Sequence, residues 1–140
     1  MSDEVVFLDT NILVYLFDHG EPRKKAIAEG IFREHKRIRL STQVLQEFFV
    51  VVTGKLERPL EPEVALRSVE HFQAYPVAVV TNALVNQAIR RSIDSKLSLW
   101  DALIVETALS EKAALLITED LQDGWKVGPM RVWNPFVDAT

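Results

Sequence analysis

Short apolar runs at Val5–Leu8, Ile38–Leu40, Val77–Val80 and Leu115–Ile117, with Met130–Trp133 as a fifth, punctuate the chain, and helical patterning fills the intervals. Runs this short, rich in β-branched residues, suit strands covered on both faces. Strands alternating with helices restrict the chain to an α/β sandwich on a mostly parallel sheet.

The helical segments expected are Ile12–His19, Pro22 to about His35, a segment capped by Ser41 or Thr42 to about Lys55, and Glu61-Pro62 to about Ala74. Two more follow: one capped by Asn82 and ending near Ser95, and one capped by Ser98 and running from Leu99 to about Lys112. No repeat, low-complexity tract or linker divides the 140 residues, so a single domain over 1–140 is expected.

Composition narrows the function classes. With 48% hydrophobic and 26% charged residues this is an ordinary globular chain. The absence of cysteine excludes disulfides, thiolate metal sites and cysteine nucleophiles, and fits a reducing cytoplasm. No apolar stretch approaches the ~20 residues of a spanning helix. The start, Met1-Ser2-Asp3-Glu4, lacks the basic residues of a secretory signal. A cytoplasmic protein without membrane contact is expected. The formal net charge of −4 does not by itself point to nucleic acid, although bound divalent metal would offset several acids.

In parallel sheets ligands bind beyond the carboxyl ends of the strands. Asp9 stands at the end of the first strand in VVFLDTNILVY, and Asp120 follows the fourth in LLITEDLQDGW. On a helical wheel, Glu47 borders the apolar arc formed by Val44, Leu45, Phe48, Val51 and Val52. Asp101 falls between Val105 and Ala108 in SLWDALIVETAL, on a face that reads as buried. A buried carboxylate is expensive unless paired, hydrogen-bonded or neutralised by metal. Convergence of Asp9, Glu47, Asp101 and Asp120 would suit Mg²⁺ or Mn²⁺, with Asn11 and Thr118 orienting the acids. Plainer readings exist for each: Asp9–Asn11 as a turn with Asn11 as helix cap, Glu47 reaching solvent, and Asp120 and Asp123 as turn acids before Gly124. Asp101 completes a capping box with Ser98.

The ordered set FLDTNILVY, STQVLQEF, LSLWDALIVETAL and LLITEDLQDG resembles the four acidic motifs of the PIN domain, and more narrowly the VapC-like ribonuclease toxins. The resemblance covers essentially the whole chain. It implies a three-layer α/β/α sandwich with a central, mostly parallel sheet of four to five strands. It also implies a Mg²⁺- or Mn²⁺-dependent endoribonuclease that cleaves by water attack on a phosphodiester. By motif, Asp9, Glu47, Asp101 and Asp120 are its acids, with Asp123 sharing or supplementing the fourth position as a metal ligand and Glu119 facing solvent. A small VapB-like antitoxin and a homodimer are the partners implied.

Arg23-Lys24-Lys25, Lys36-Arg37 with Arg39, and Arg90-Arg91 are candidates for a phosphate-contacting rim, against the plainer reading that each is a solvated helix face. Few aromatics lie near them, so base stacking is not signalled. His19, His35 and His71 read as surface residues. Two other functions are compatible with parts of the chain. One is a PIN fold that is catalytically weak and only binds or processes RNA. The other is a haloacid-dehalogenase-type phosphatase, in which the position two residues after the strand-end aspartate is an acid. Here it is Asn11, which cannot exchange a proton at neutral pH.

Overall fold

A computed structural model describes residues 2–137. The first strand, β1 (Ser2–Leu8), leads through Asp9 into a short helix α1 (Thr10–Tyr15). Helix α2 (Pro22–Glu34) then returns the chain to β2 (His35–Ser41). Helices α3 (Thr42–Gly54) and α4 (Pro62–Phe72) precede β3 (Val77–Ala78), and an antiparallel-looking pair in sequence, α5 (Asn82–Ser95) and α6 (Leu99–Ser110), precedes β4 (Leu115–Ile117). A terminal hairpin of β5 (Lys126–Val127) and β6 (Met130–Trp133) completes the sheet.

The sheet order is β3-β2-β1-β4-β6-β5, and every pairing is parallel except β5 with β6. Helices cover both faces, giving the expected three-layer α/β/α sandwich with six strands rather than four or five. Central β1 shows why the fold closes this way: Val6, Phe7 and Leu8 are all fully buried, so neither face of the strand meets solvent. Phe48 of α3 anchors the largest aromatic cluster, edge-on to Phe17 and Phe72 at centroid distances of 5.4 and 5.2 Å. A smaller core of Leu84, Ala88, Ala102 and Leu103 joins α5 to α6.

Several boundaries differ from the sequence reading for local reasons. Asp9, not Asn11, caps α1, because its carboxylate accepts the Thr10 amide. That helix ends at Tyr15 rather than His19. Thr81, not Asn82, caps α5, with its hydroxyl accepting the Leu84 amide at 3.2 Å. Ser41 is the cap of α3, accepting from Val44 at 3.2 Å. β3 stops at Ala78, and Val79 beyond it is 67% exposed. The overlooked β5 has only Lys126 and Val127, too short to carry an apolar pattern, and is set by Gly128 at φ 57° in the turn to β6. His35 is half-buried against Trp133, unlike the exposed His19 and His71.

Candidate active site

Parallel pairing of β1 with β4 places the ends of both strands side by side, Leu8 opposite Ile117. The residues that follow, Asp9 and Thr118, therefore meet. Asp9 is 4% exposed, and its two carboxylate oxygens are held separately: Oδ1 accepts the Thr10 amide and Oδ2 accepts the Thr118 hydroxyl, each at 2.7 Å. Burial pushes the Asp9 carboxyl up to about 7, opposed by these two hydrogen bonds and reinforced by the charges of Asp120 and Glu47.

Thr118 is a junction. While donating to Asp9, its oxygen accepts from the Asp120 amide at 3.0 Å and from Asn11 Nδ2 at 3.3 Å, which uses its one donor and both lone pairs. Asn11 Nδ2 also donates to Asp120 Oδ2 at 3.1 Å, so the amide links the turn after β1 to the acid after β4. Glu47 arrives from α3. Its Oε1 accepts the Thr10 hydroxyl at 2.7 Å, and its Oε2 accepts Gln43 Nε2 at 3.2 Å from one turn earlier.

Asp101 enters from the first turn of α6. Its amide donates to the Ser98 hydroxyl at 3.1 Å, so the capping reading holds. Burial, then the charges of Asp120 and Glu47, raise its carboxyl, with a Ser98 hydrogen bond opposing. Capping and membership of the acid cluster are thus compatible in one residue. The structure brings Asp9, Glu47, Asp101 and Asp120 into one electrostatic neighbourhood. Asp123 is placed differently: its Oδ1 accepts the Asn134 amide at 2.8 Å, tying the turn before β5 to the segment after β6.

Glu47 and Asp120 open onto a groove of about 690 Å³ lined also by Asn11, Trp100, Val50 and Lys55, among others. Glu119 does not simply face solvent. It accepts from the Tyr15 hydroxyl and pairs with Lys24 at 3.1 Å, and the Lys24 ammonium also lies over the rings of Tyr15 and Phe136. Of the expected basic rim, Lys24 alone is seen to join the site's surroundings, and its charge is already engaged. Lys25 pairs with Glu29, and Arg91 with Glu106. Arg23 is exposed, and Arg90 borders a shallow depression on α5 with Asn86, Gln87 and Asp94. Lys36 and Arg37 sit at the start of β2, whereas the site lies at the strands' carboxyl ends.

Thr10, Gln43, Tyr15 and Trp100 are site residues that the motif reading passed over. Gln43 had a legible signal, standing four residues before Glu47 and so on the same helix face.

The donor chemistry fits a hard divalent cation. Every candidate ligand is a carboxylate oxygen, and acceptors outnumber donors: Asn11 Oδ1 and Gln43 Oε1 are buried without a partner beside the acids. Among the described residues no three acidic or histidine side chains already stand in a closed coordination arrangement. The site is a set of neighbouring acids held in orientation by hydrogen bonds.

The family profile described as the PIN domain matches residues 6–122, which runs from β1 past Asp120. The chain belongs to the PIN domain family. Similar solved structures include a toxin–antitoxin complex from Klebsiella pneumoniae, at 21% identity and TM-score 0.68, covering 93% of this chain and 97% of that one. A sarcin–ricin loop-cleaving VapC toxin of Mycobacterium tuberculosis matches at 18% identity and TM-score 0.65, covering 79% and 86%. DNA-bound VapBC from Salmonella typhimurium matches at 21% identity and TM-score 0.63, covering 92% and 96%. At these identities the likeness concerns the fold. A search of curated proteins found no match.

Proposed function

We propose that this PIN domain is a Mg²⁺- or Mn²⁺-dependent endoribonuclease and the toxin of a toxin–antitoxin pair. The observation that carries the reading is the buried Asp9, oriented by Thr118 and coupled to Asp120 and Glu47 at the ends of two adjacent parallel strands. A similar solved structure described as a sarcin–ricin loop-cleaving toxin supports RNA as the substrate class.

Asp9, Asp101 and Asp120 would hold the metal, with Glu47 fixed beside them by Thr10 and Gln43. A bound divalent cation lowers the pKa of its water and offsets charge on a phosphodiester. The chain's own residues set the geometry. Thr118 aims Asp9 Oδ2, Asn11 aims Asp120 Oδ2, and the groove admits a strand alongside α3. Asn11 acts as a donor to Asp120, which leaves it no role as the general acid of a phosphatase.

The proposed antitoxin is supported by the toxin–antitoxin complexes among the similar solved structures and by a second, apolar groove. Leu45, Phe49, Val50, Leu66 and Val69 line that groove between α3 and α4, with Phe49, Val50 and Leu66 exposed. Homodimerisation is supported by an exposed stripe on α5, Val85, Ile89 and Ile93, at four-residue spacing. No helix among the described residues is long and apolar enough to cross a membrane. A cytoplasmic location follows from the proposed RNA substrate.

The test is RNA cleavage with added manganese, comparing wild type, Asp9→Asn and wild type with EDTA. Only metal-loaded wild type is expected to cleave efficiently. Cleavage indifferent to EDTA or to Asp9→Asn would overturn the reading.

A further inference from the structure

Trp100 is 62% exposed, although tryptophan is a large apolar side chain that proteins generally cover. It stands in the first turn of α6 beside Asp101 and lines the same groove as Glu47, Asn11 and Asp120. Its backbone is not loose. Gln43, only 5% exposed, donates Nε2 to the Trp100 carbonyl and to Glu47 Oε2, both at 3.2 Å. Both partners are acceptors, so the amide orientation is settled by its neighbours. One buried amide thus fixes the indole-bearing turn relative to the acid cluster.

At the other end of the groove lies Lys55, exposed and without an ion-pair partner among the described residues. It caps α3, about 18 Å along the helix from Gln43 at ~1.5 Å per residue. The groove therefore offers an aromatic face, then carboxylates, then a cation. We infer that Trp100 is a stacking platform for an unpaired base of the RNA strand, adjoining the phosphate at the acids, with Lys55 contacting a phosphate further along. This rests on the nuclease reading and specifies its substrate as single-stranded at the site, because a paired and stacked base has no free face for the indole.

A protein contact is the competing use of an exposed tryptophan. The apolar groove between α3 and α4 is lined by Leu45, Phe49, Val50, Leu66 and Val69; it shares Val50 with the groove of Trp100 but does not include Trp100. The groove of Trp100 carries Val14, Val50, Val51 and Leu56 as well, but it adds Asn11, Gln43, Glu47 and Asp120, hydrogen-bonding groups that suit a nucleotide better than an apolar partner.

The test measures binding, independently of cleavage, in the Asp9→Asn background. Mixed-sequence single-stranded oligoribonucleotides are compared with an abasic strand of equal length and with duplex RNA. Trp100→Ala is expected to weaken the base-bearing single strand roughly 5- to 100-fold, leaving the abasic strand and duplex unchanged. Trp100→Phe should restore most of the loss. Lys55→Ala should weaken base-bearing and abasic strands alike and reduce the salt dependence. Equal effects of Trp100→Ala on both strands, or none, would overturn the platform. So would a change in oligomeric state with unaltered RNA binding, which would assign the indole to a protein contact. Failure of wild type to cleave any RNA with manganese would sink the nuclease reading separately.

Discussion

Thr118 donates its hydroxyl proton to Asp9 at 2.7 Å across 109 residues of chain, and the same oxygen receives the amide of Asp120. A single hydroxyl thereby sets the angle of one acid and the backbone of another. Thr118→Val keeps the side-chain shape and removes the junction. We expect a loss of about 1–3 kcal/mol in stability, because the Asp120 amide and an Asp9 oxygen lose a partner. Manganese affinity should fall roughly 10- to 100-fold, as for other residues that orient metal ligands. Chemical denaturation and metal titration check the two parts; unchanged metal affinity would reduce Thr118 to a structural residue.

Asp9 should make the metal-free protein less stable as pH rises. Its folded carboxyl sits at about 7 against 3.8 for the free side chain, so the folded state holds the proton more tightly. The stability it contributes is full below 3.8 and is lost as pH rises through about 7. The shift corresponds to at most about 4 kcal/mol. In EDTA, Asp9→Asn should therefore raise Tm at neutral pH, and by less near about pH 4.5. Thermal melts at the two pH values decide it; a gap that does not widen with pH would contradict the burial argument.

Manganese should stabilise wild type and not Asp9→Asn. Ligand binding to the folded state alone adds about 2.7 kcal/mol at a hundred-fold excess over Kd. A melt in increasing manganese reads this directly, and parallel shifts in both proteins would place the cation elsewhere.

Ser98 and Asp101 can be separated by substitution. Ser98→Ala removes the cap of α6 and should cost about 1 kcal/mol while leaving most cleavage. Asp101→Asn keeps the capped amide but removes the charge near Asp120 and Glu47, and cleavage should fall at least about tenfold. Near-normal cleavage by Asp101→Asn would leave it with capping alone.

Lys24→Met should change RNA binding little, because its ammonium is already paired with Glu119 and stacked on Tyr15 and Phe136. A partly exposed pair of this kind contributes up to about 1 kcal/mol of stability. A large drop in RNA affinity would show that Lys24 leaves Glu119 for phosphate.

The sheet and its site were legible to different depths. Val6, Phe7 and Leu8 announce a strand buried on both faces, and Asp9 follows at a position where parallel sheets place ligands. The wheel position of Asp101 foreshadowed a half-buried side chain, less covered than its apolar face suggested, and Ser98 its cap. β5 was not legible because two residues leave no periodicity, and its existence depends on a turn at Gly128 and on β6. The pairing of Lys24 with Glu119 joins α2 to the turn after β4, a contact between distant segments that no local pattern encodes. For the same reason Lys36 and Arg37 read as rim candidates, although strand direction places them at the opposite end.

The parallel alignment of β1 with β4 also gives the molecule a clock. Asp9 precedes its hydroxyl partner and the acid beside it by more than a hundred positions. Until that stretch has been added, a growing chain carries Asp9 without Thr118 and Asp120. Domains fold as units during synthesis, and parallel pairings distant in sequence form late. A ribosome making this protein is therefore spared an assembled acid cluster until β4 has emerged.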